Sequence, residues 1–205
     1  MFPLGHLAVG YVGYTIFSRV VYRVPPAGAA VIALAIGTQF PDLIDKPLYY
    51  WFEALPSGRS LGHSLVFAVP GSLLALVVGR QIGRQREALA FGFGWLSHLP
   101  ADSYGAILSG NYGEASFLLW PFYPAYEGTA TSFGFHLEHH VPELEAIVRE
   151  PIGVLLLTSF GHEILAATFV MLLWAVDGFP GPKALWRGSV GRVWTVGGSE
   201  RRDVG

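Results

Sequence analysis

Apolar residues occur in long stretches along this chain, and polar residues concentrate at the ends of those stretches. The clearest example runs from Ser60 to Gly79, a segment without Asp, Glu, Lys or Arg. A helix that crosses a bilayer needs about 20 mainly apolar residues. The pattern therefore predicts an all-α fold, a polytopic membrane helix bundle whose five transmembrane helices occupy residues 3–22, 26–44, 62–80, 87–107 and 152–176.

Prolines and ionisable residues refine this prediction within three of the stretches. The proline pair at 25–26 suits the start of the second helix, and Pro41 predicts its end. Pro100 predicts a kink or an early end in the fourth helix. His162 and Glu163 in the fifth stretch predict side chains that face the interior of the bundle, because ionisable groups are costly in lipid.

The composition also indicates a membrane protein. Charged residues make up 14% of the chain and hydrophobic residues 52%, whereas soluble domains carry about 25% charged residues. We expect one membrane-embedded domain over residues 1–176 and a basic, disordered cytoplasmic tail over residues 177–205. The net charge of −2 gives no indication of a nucleic-acid partner. The chain has no cysteine, so histidine and carboxylate side chains would have to hold any metal ion.

Basic residues predict the orientation, because they accumulate on the cytoplasmic side of a membrane protein. Ten of the 13 lie on one side of the five predicted helices. We therefore expect a multi-pass protein of the inner or plasma membrane, with its N-terminus outside and its C-terminus in the cytoplasm. No Lys or Arg precedes residues 2–18, so we expect a retained helix there and not a cleaved signal peptide. The ten are Arg19, Arg23, Arg80, Arg84, Arg86, Lys183, Arg187, Arg192, Arg201 and Arg202, and the other three are Lys46, Arg59 and Arg149.

Ionisable residues lie at or near the outer ends of four predicted helices. Such residues are costly at membrane depth and are usually functional, and imidazole and carboxylate are common ligands of divalent metals. His98 and Asp102 are four residues apart, so they share one helix face. The predicted metal ligands are His6, Asp42, His63, His98 and Asp102, with zinc as the expected ion.

Structural roles are open for the same residues. The pair His98 and Asp102 could belong to a capped helix end, and a lone histidine more often makes a structural hydrogen bond than a metal bond. Lys46 could neutralise Asp42 at the unfavourable C-terminal end of its helix. Asp45 could support a ligand or be solvated.

The predicted outer side carries further candidates. An apolar piece over residues 117–124 is too short to cross the membrane and predicts an interfacial lid within the long connection 108–150. Arg59 could bind a phosphate or carboxylate through its planar guanidinium. A dense cluster could hold a second metal ion or form a solvated, pH-sensitive loop. That cluster consists of His136, Glu138, His139, His140 and Glu143.

Short motifs follow one another over residues 1–125: Gly5-His6, Pro41-Asp42-Leu43-Ile44-Asp45, Arg59-Ser60-Leu61-Gly62-His63-Ser64, Gly94-Trp95-Leu96-Ser97-His98-Leu99-Pro100-Ala101-Asp102 and Leu119-Trp120-Pro121. Together they resemble the YdjM-type membrane-bound metal-dependent hydrolases, also described as LexA-binding, inner membrane-associated hydrolases. Gly58 and Gly62 differ from the histidine and threonine that the family often has at these positions. The second aspartate of the Pro-Asp stretch is displaced by one residue.

The resemblance implies a membrane-bound metal-dependent hydrolase. The order of the histidines and aspartates is also similar to that of zinc-dependent phospholipase C enzymes, which favours a phosphoester in a lipid or amphiphilic substrate. On this interpretation Arg59 orients the anionic substrate, Glu138 or Glu143 acts as the base, and a metal-activated water attacks. The chain lacks the G-x-S-x-G, H-E-x-x-H and P-loop motifs, which leaves that water as the available nucleophile.

The expected partners are the lipid bilayer and a small amphiphilic or phosphorylated substrate, without nucleic acid. Two other classes of protein fit the same residues. One is a metal- or proton-dependent membrane binding protein or transporter without hydrolytic activity. The other is a structural membrane protein whose polar residues only join helices.

Overall fold

The computed structural model of the protein describes residues 3–26, 28–125, 141 and 145–182. All regular structure in these ranges is helical, which confirms the predicted all-α class. The α-helices are α1 (Pro3–Phe17), α2 (Ala29–Tyr50), α3 (Leu65–Gln81), α4 (Gln85–Leu108), α5 (Pro151–Leu157) and α6 (Ser159–Val176). A π-helical turn (Ser18–Tyr22) extends α1, and a 3₁₀-helix (Tyr112–Leu119) follows α4. By length and hydropathy, none of the helices in the described ranges qualifies as a membrane crossing.

The apolar stretches located the helices, but the helix ends predicted at two prolines are wrong. α2 continues through Pro41 and Pro47, although the sequence predicts an end at Pro41. α4 likewise continues through Pro100. A proline inside a helix costs about 3 kcal/mol. Pro41 is fully buried, and its backbone lies so close to Gly62 that a Cβ there would be 2.8 Å from the Pro41 Cα, so tertiary packing outweighs the local cost.

The fifth apolar stretch forms two helices and not one. Thr158 separates them with an extended backbone, and its hydroxyl caps α6 by accepting a hydrogen bond from the Gly161 amide. His162 is exposed, and its Nε2 donates to the Leu156 carbonyl. The prediction that His162 faces the interior of the bundle is therefore wrong. The side chain of Glu163 lies outside the described part of the structure.

α2 and α4 form the centre of the bundle and cross at glycines. A Cβ on Gly37 would lie 2.1 Å from the Phe91 carbonyl oxygen, and a Cβ on Gly94 would lie 2.5 Å from the Leu34 carbonyl oxygen. Only glycine lets the two backbones approach this closely. α1 packs against both of these helices, α3 packs on α4, and α6 packs on α1.

Candidate metal centre

All five predicted ligands meet at one end of the bundle. α1 contributes His6, α2 contributes Asp42, the connection between α2 and α3 contributes His63, and α4 contributes His98 and Asp102. The three histidines and Asp102 each expose 4% or less of their side chains, and Asp42 exposes 14%. Helix packing thus gathers residues that lie up to 96 positions apart, since the first is residue 6 and the last is residue 102.

Asp45 holds His63 in one tautomer. Its Oδ2 lies 2.8 Å from His63 Nδ1 and also accepts hydrogen bonds from the Ser60 and His63 amides at 2.7 and 3.2 Å. Its Oδ1 accepts from the Gly62 amide at 2.7 Å. An ionised carboxylate can only accept, so Nδ1 carries the proton and the neutral ring directs the Nε2 lone pair into the site. Asp45 is therefore buried and not solvated, and it supports the backbone segment from Ser60 to His63.

A backbone carbonyl fixes His98 in the same way. His98 Nδ1 lies 2.7 Å from the Thr38 carbonyl oxygen, which can only accept, so Nε2 keeps its lone pair in the neutral ring. This contact depends on the close crossing of α2 and α4, because a Cβ on Gly94 would lie 2.8 Å from the Thr38 nitrogen. The ring of His6 stacks on the other side, with its centroid 3.7 Å from that of His98.

The two supported histidines point at each other, with His63 Nε2 and His98 Nε2 3.1 Å apart. Because both rings carry their proton on Nδ1, neither can donate to the other while it is neutral. Two lone pairs at this distance repel. A shared cation removes the repulsion and leaves both rings neutral, whereas a proton removes it only by charging one of them.

Carboxylate oxygens lie next to this nitrogen pair. Asp42 Oδ1 is 3.4 Å from His63 Nε2 and 4.0 Å from His98 Nε2, and Asp102 Oδ2 is 3.5 and 3.7 Å from the same two atoms. In a tetrahedral zinc site with bonds of about 2.0–2.1 Å, neighbouring ligand atoms are about 3.3–3.4 Å apart. The residues present therefore fit a small divalent ion. Two overlapping groups that share His98 could hold one: His6, His98 and Asp102, and Asp42, His63 and His98.

His6 lies beside Asp102 and not between the other ligands. Its Nε2 is 3.2 Å from Asp102 Oδ1, the oxygen other than the one that faces His63 and His98. Its Nδ1 is buried and has no hydrogen-bond partner among the described residues. A buried nitrogen without a partner costs about 1–3 kcal/mol. His6 can thus orient the carboxylate or bind an ion together with Asp102 and His98.

Negative charge exceeds positive charge in the site. Lys46 Nζ lies 2.8 Å from Asp42 Oδ2, and Arg59 Nε lies 3.1 Å from Asp102 Oδ2. Lys46 does neutralise Asp42, as the structural alternative expects. It binds Oδ2, whereas Oδ1 is the oxygen that lies near the histidines. The site contains three carboxylates, Asp42, Asp102 and the buried Asp45, but only two cationic side chains. One negative charge is therefore left over while the histidines are neutral. A buried charge needs a partner, which a bound cation or a proton on one of the histidines would provide.

Arg59 forms the exposed edge of the site. Its side chain is 42% exposed, and its guanidinium carbon lies 5.6 Å from the ring centroid of Phe117. Phe117 is buried in the 3₁₀-helix and also contacts the ring of His63 edge-on, so the 3₁₀-helix covers the site. Burial raises the pKa of the nearby Tyr50 phenol, and the charge of Asp42 raises it further.

The structure brings the five predicted ligands together, and it adds contacts that the sequence did not reveal. The Asp-x-x-Asp spacing in an apolar helix was the available signal for Asp45. No side-chain pattern could have revealed the Thr38 carbonyl. The predicted bases Glu138 and Glu143, with the rest of the cluster that begins at His136, lie outside the described residues.

The fold and the site define an all-helical protein with a buried histidine and aspartate centre that could hold a metal ion. The family model described as YdjM inner membrane protein matches residues 1–184, and the chain belongs to this family. This match confirms the resemblance seen in the motifs and covers every residue of the centre. Neither the curated proteins nor the solved structures give a significant match.

Proposed function

We propose that this protein is a metal-dependent hydrolase of the inner membrane that cleaves a phosphoester in a lipid or another amphiphilic substrate. The observation that carries the proposal is the 3.1 Å approach of His63 Nε2 and His98 Nε2 beside two carboxylates. Imidazole and carboxylate donors without a thiolate suit zinc or a similar divalent ion. The family description supports the membrane location.

The chain's own residues would hold the ion and keep its ligands in place. His63, His98, Asp42 and Asp102 are the proposed ligands, and Asp45 keeps the His63 ring in its binding tautomer. When bound, a zinc ion supplies an activated water as nucleophile near neutral pH and a positive charge for phosphoryl oxygens. Holding the rings in advance limits the reorganisation that metal binding requires.

Arg59 would position the substrate. Its guanidinium bonds Asp102 through Nε and is still partly exposed, so its remaining N–H groups can donate to a phosphoryl oxygen. The Asp102 contact places this cation next to the proposed ligands, where an anionic headgroup would lie. Proton removal from the nucleophile would fall to Glu138 or Glu143 of the long connection.

We also propose that the bundle is embedded in the bilayer with the site facing outside. The support comes from its outer surface, where α3 exposes Leu73 and Leu74 and α6 exposes Phe169 and Leu172. Soluble monomers rarely expose large contiguous apolar patches. The ten-to-three distribution of basic residues supports a multi-pass arrangement with the N-terminus outside and the C-terminus in the cytoplasm.

Metal analysis and activity assays test the proposed function together. The purified protein should contain stoichiometric zinc or a similar ion and should release product from phosphomonoesters, phosphodiesters or short-chain phospholipids, with the activity lost on chelation. His98→Ala should lose both properties. His162→Ala is the matched control for metal content, because His162 is an exposed histidine that belongs to neither metal-binding group.

The outcomes separate the classes of function. Stoichiometric metal without turnover of any phosphoester would favour the alternative, a metal-dependent binding protein or transporter. Metal content that is the same in His98→Ala as in the unmodified protein would contradict the proposed site. An absence of bound metal in every preparation would leave the structural class and a proton-dependent binding protein or transporter.

A further inference from the structure

A groove of about 840 Å³ runs between α1, α4 and α6. Its walls are mainly apolar and small, with Ala8, Val9 and Val12 on α1 and Ala166 and Phe169 on α6. The groove has free space next to Gly105 of α4, because a Cβ there would meet no atom within 4 Å. The groove spans α1 from Gly5 to Gly13, a length of about 12 Å at 1.5 Å per residue. Its volume is in the range of small-molecule sites, about 300–1,000 Å³.

The groove adjoins the metal centre at Asp102. Asp102 lines the groove and also lies 3.7 Å from His98 Nε2. α1 and α6 run in the same direction, because Arg19 just beyond α1 pairs with Asp177 just beyond α6. Gly5 and His162 therefore lie at the same end of the groove. Asp102 and His162 are at that end, and Tyr104 follows Asp102 on α4. The walls farther along α1 and α6 are apolar.

We propose that this groove binds one hydrocarbon chain of an amphiphilic substrate whose anionic headgroup lies at the metal centre. The inference rests on the proposed function for the headgroup, but the groove supplies the evidence for the chain. An apolar channel with polar groups at one end matches a molecule with an apolar tail and a charged head. The small side chains of Ala8 and Ala166 leave room between α1 and α6 for such a tail.

Alkylphosphonates test the chain site without turnover, because their carbon–phosphorus bond resists hydrolysis. We would measure the dissociation constants of ethyl-, butyl-, hexyl- and octylphosphonate for the zinc-loaded full chain in a detergent-free amphipathic polymer. Burial of a methylene from water contributes about fourfold to affinity. Affinity should therefore rise with chain length until the groove is full.

Filling the groove should remove that gain. Ala166→Phe adds a ring on one wall, and Val12→Phe adds one from the opposite wall. If one of the two variants does not fold, the other still tests whether the groove binds the chain. In both, octylphosphonate should bind no more than a few-fold more tightly than ethylphosphonate, and zinc content should be unchanged. Thr168→Phe is the matched control, because Thr168 is exposed on the same helix and does not line the groove; it should keep the chain-length gain.

The result would separate the two proposals. If both filled variants keep the full chain-length gain, the chain binds elsewhere and the groove inference is overturned, whatever the metal centre does. If ethylphosphonate and zinc do not bind but the filled variants still lose octylphosphonate, the proposed hydrolase function fails and the groove inference stands.

Discussion

His63 Nε2 and His98 Nε2 face each other at 3.1 Å, and each ring has its Nδ1 bonded to an acceptor, Asp45 Oδ2 in one case and the Thr38 carbonyl in the other. Neither ring can turn away without breaking a buried hydrogen bond. The two lone pairs are therefore held together by the fold itself. A metal ion bound by both nitrogens, or a proton on one of them, makes this arrangement favourable, and metal analysis distinguishes the two.

Metal removal should destabilise the protein through this pair. A ligand present at 100 times its dissociation constant stabilises the folded state by about 2.7 kcal/mol. Chelation should therefore lower the melting temperature by several degrees, and zinc should restore it. His98→Ala should melt at the same temperature with and without chelator. Thermal melts of the purified protein with added zinc or chelator measure this, and an equal chelator effect in both proteins would contradict the assignment of His98.

Asp45→Asn should weaken metal binding although Asp45 is not a proposed ligand. Both carboxylate oxygens accept from N–H groups, so an amide would place its NH₂ against at least one donor. We expect a loss of about 10- to 100-fold in zinc affinity, as for other supports of metal-binding histidines. Competition with a chromophoric chelator measures the affinity.

The control for Asp45→Asn is Ser57→Ala, which changes the same loop without touching His63. Among the described residues, the Ser57 hydroxyl forms hydrogen bonds with Arg59 and Ser60, so its loss should leave zinc affinity within a few-fold of the unmodified protein. Faster hydrogen exchange of the Gly62 and His63 amides should accompany Asp45→Asn alone. Unchanged affinity in Asp45→Asn would show that the His63 tautomer does not matter for binding.

Gly94→Ala should damage the centre from a distance. The added Cβ would lie 2.5 Å from the Leu34 carbonyl oxygen and 2.8 Å from the Thr38 nitrogen, so α2 and α4 must separate. Overpacking of this kind costs about 1–3 kcal/mol, and the separation should also lengthen the His98 contact to Thr38. Denaturant unfolding and zinc titration measure the two effects.

Gly105→Ala provides the comparison on the same helix. A Cβ there would meet no atom within 4 Å, and alanine is about 0.5–1 kcal/mol better than glycine inside a helix. This variant should therefore be as stable as the unmodified protein or slightly more so, with normal zinc binding. Equal losses in Gly94→Ala and Gly105→Ala would point to a general intolerance of α4 and not to the helix crossing.

Arg59→Ala should reduce binding of an anionic headgroup while metal binding persists. A charge-assisted hydrogen bond contributes about 1.5–3 kcal/mol, and Arg59 is 42% exposed, so we expect about a tenfold loss in methylphosphonate affinity. Arg59→Lys should recover only part of it, because lysine cannot bond Asp102 and the ligand through one planar fork.

Arg84→Ala is the control for the Arg59 variants, since its side chain is 65% exposed and it lies at the start of α4, far along the helix from Asp102. It should leave methylphosphonate binding unchanged. Titration of methylphosphonate into each zinc-loaded protein gives the comparison. A loss of the same size in both variants would indicate a general charge effect and would remove Arg59 from the substrate site.

Single cysteines can test the proposed orientation, because the natural chain has none. Ser64 is fully buried and caps α3, so it is unsuitable as a probe. Exposed positions are Ser109 after α4 and Gln85 at its start. A membrane-impermeant maleimide should label Ser109→Cys in intact cells and should label Gln85→Cys only after permeabilisation. The reverse pattern would invert the orientation.

The sequence determined which segments are helical and which residues could bind a metal. Apolar stretches of about 20 residues located the helices, because burial of apolar side chains dominates helix packing. Few charged residues occur in the apolar stretches, so the ionisable residues there are candidates for a functional site, because burying such groups is costly. These residues are His6, Asp42, His63, His98 and Asp102. Local proline rules were less reliable, because the packing of α2 carries it through Pro41.

Only the tertiary structure decided how those residues are used. The Thr38 carbonyl has no side-chain signature, and it reaches His98 because two glycine-lined backbones cross. Asp45 supports His63 because the connection between α2 and α3 folds back onto α2. The facing Nε2 atoms follow from these two contacts. Sequence spacing fixes a residue's place along a helix, whereas ring orientation and tautomer depend on acceptors that come from other parts of the chain.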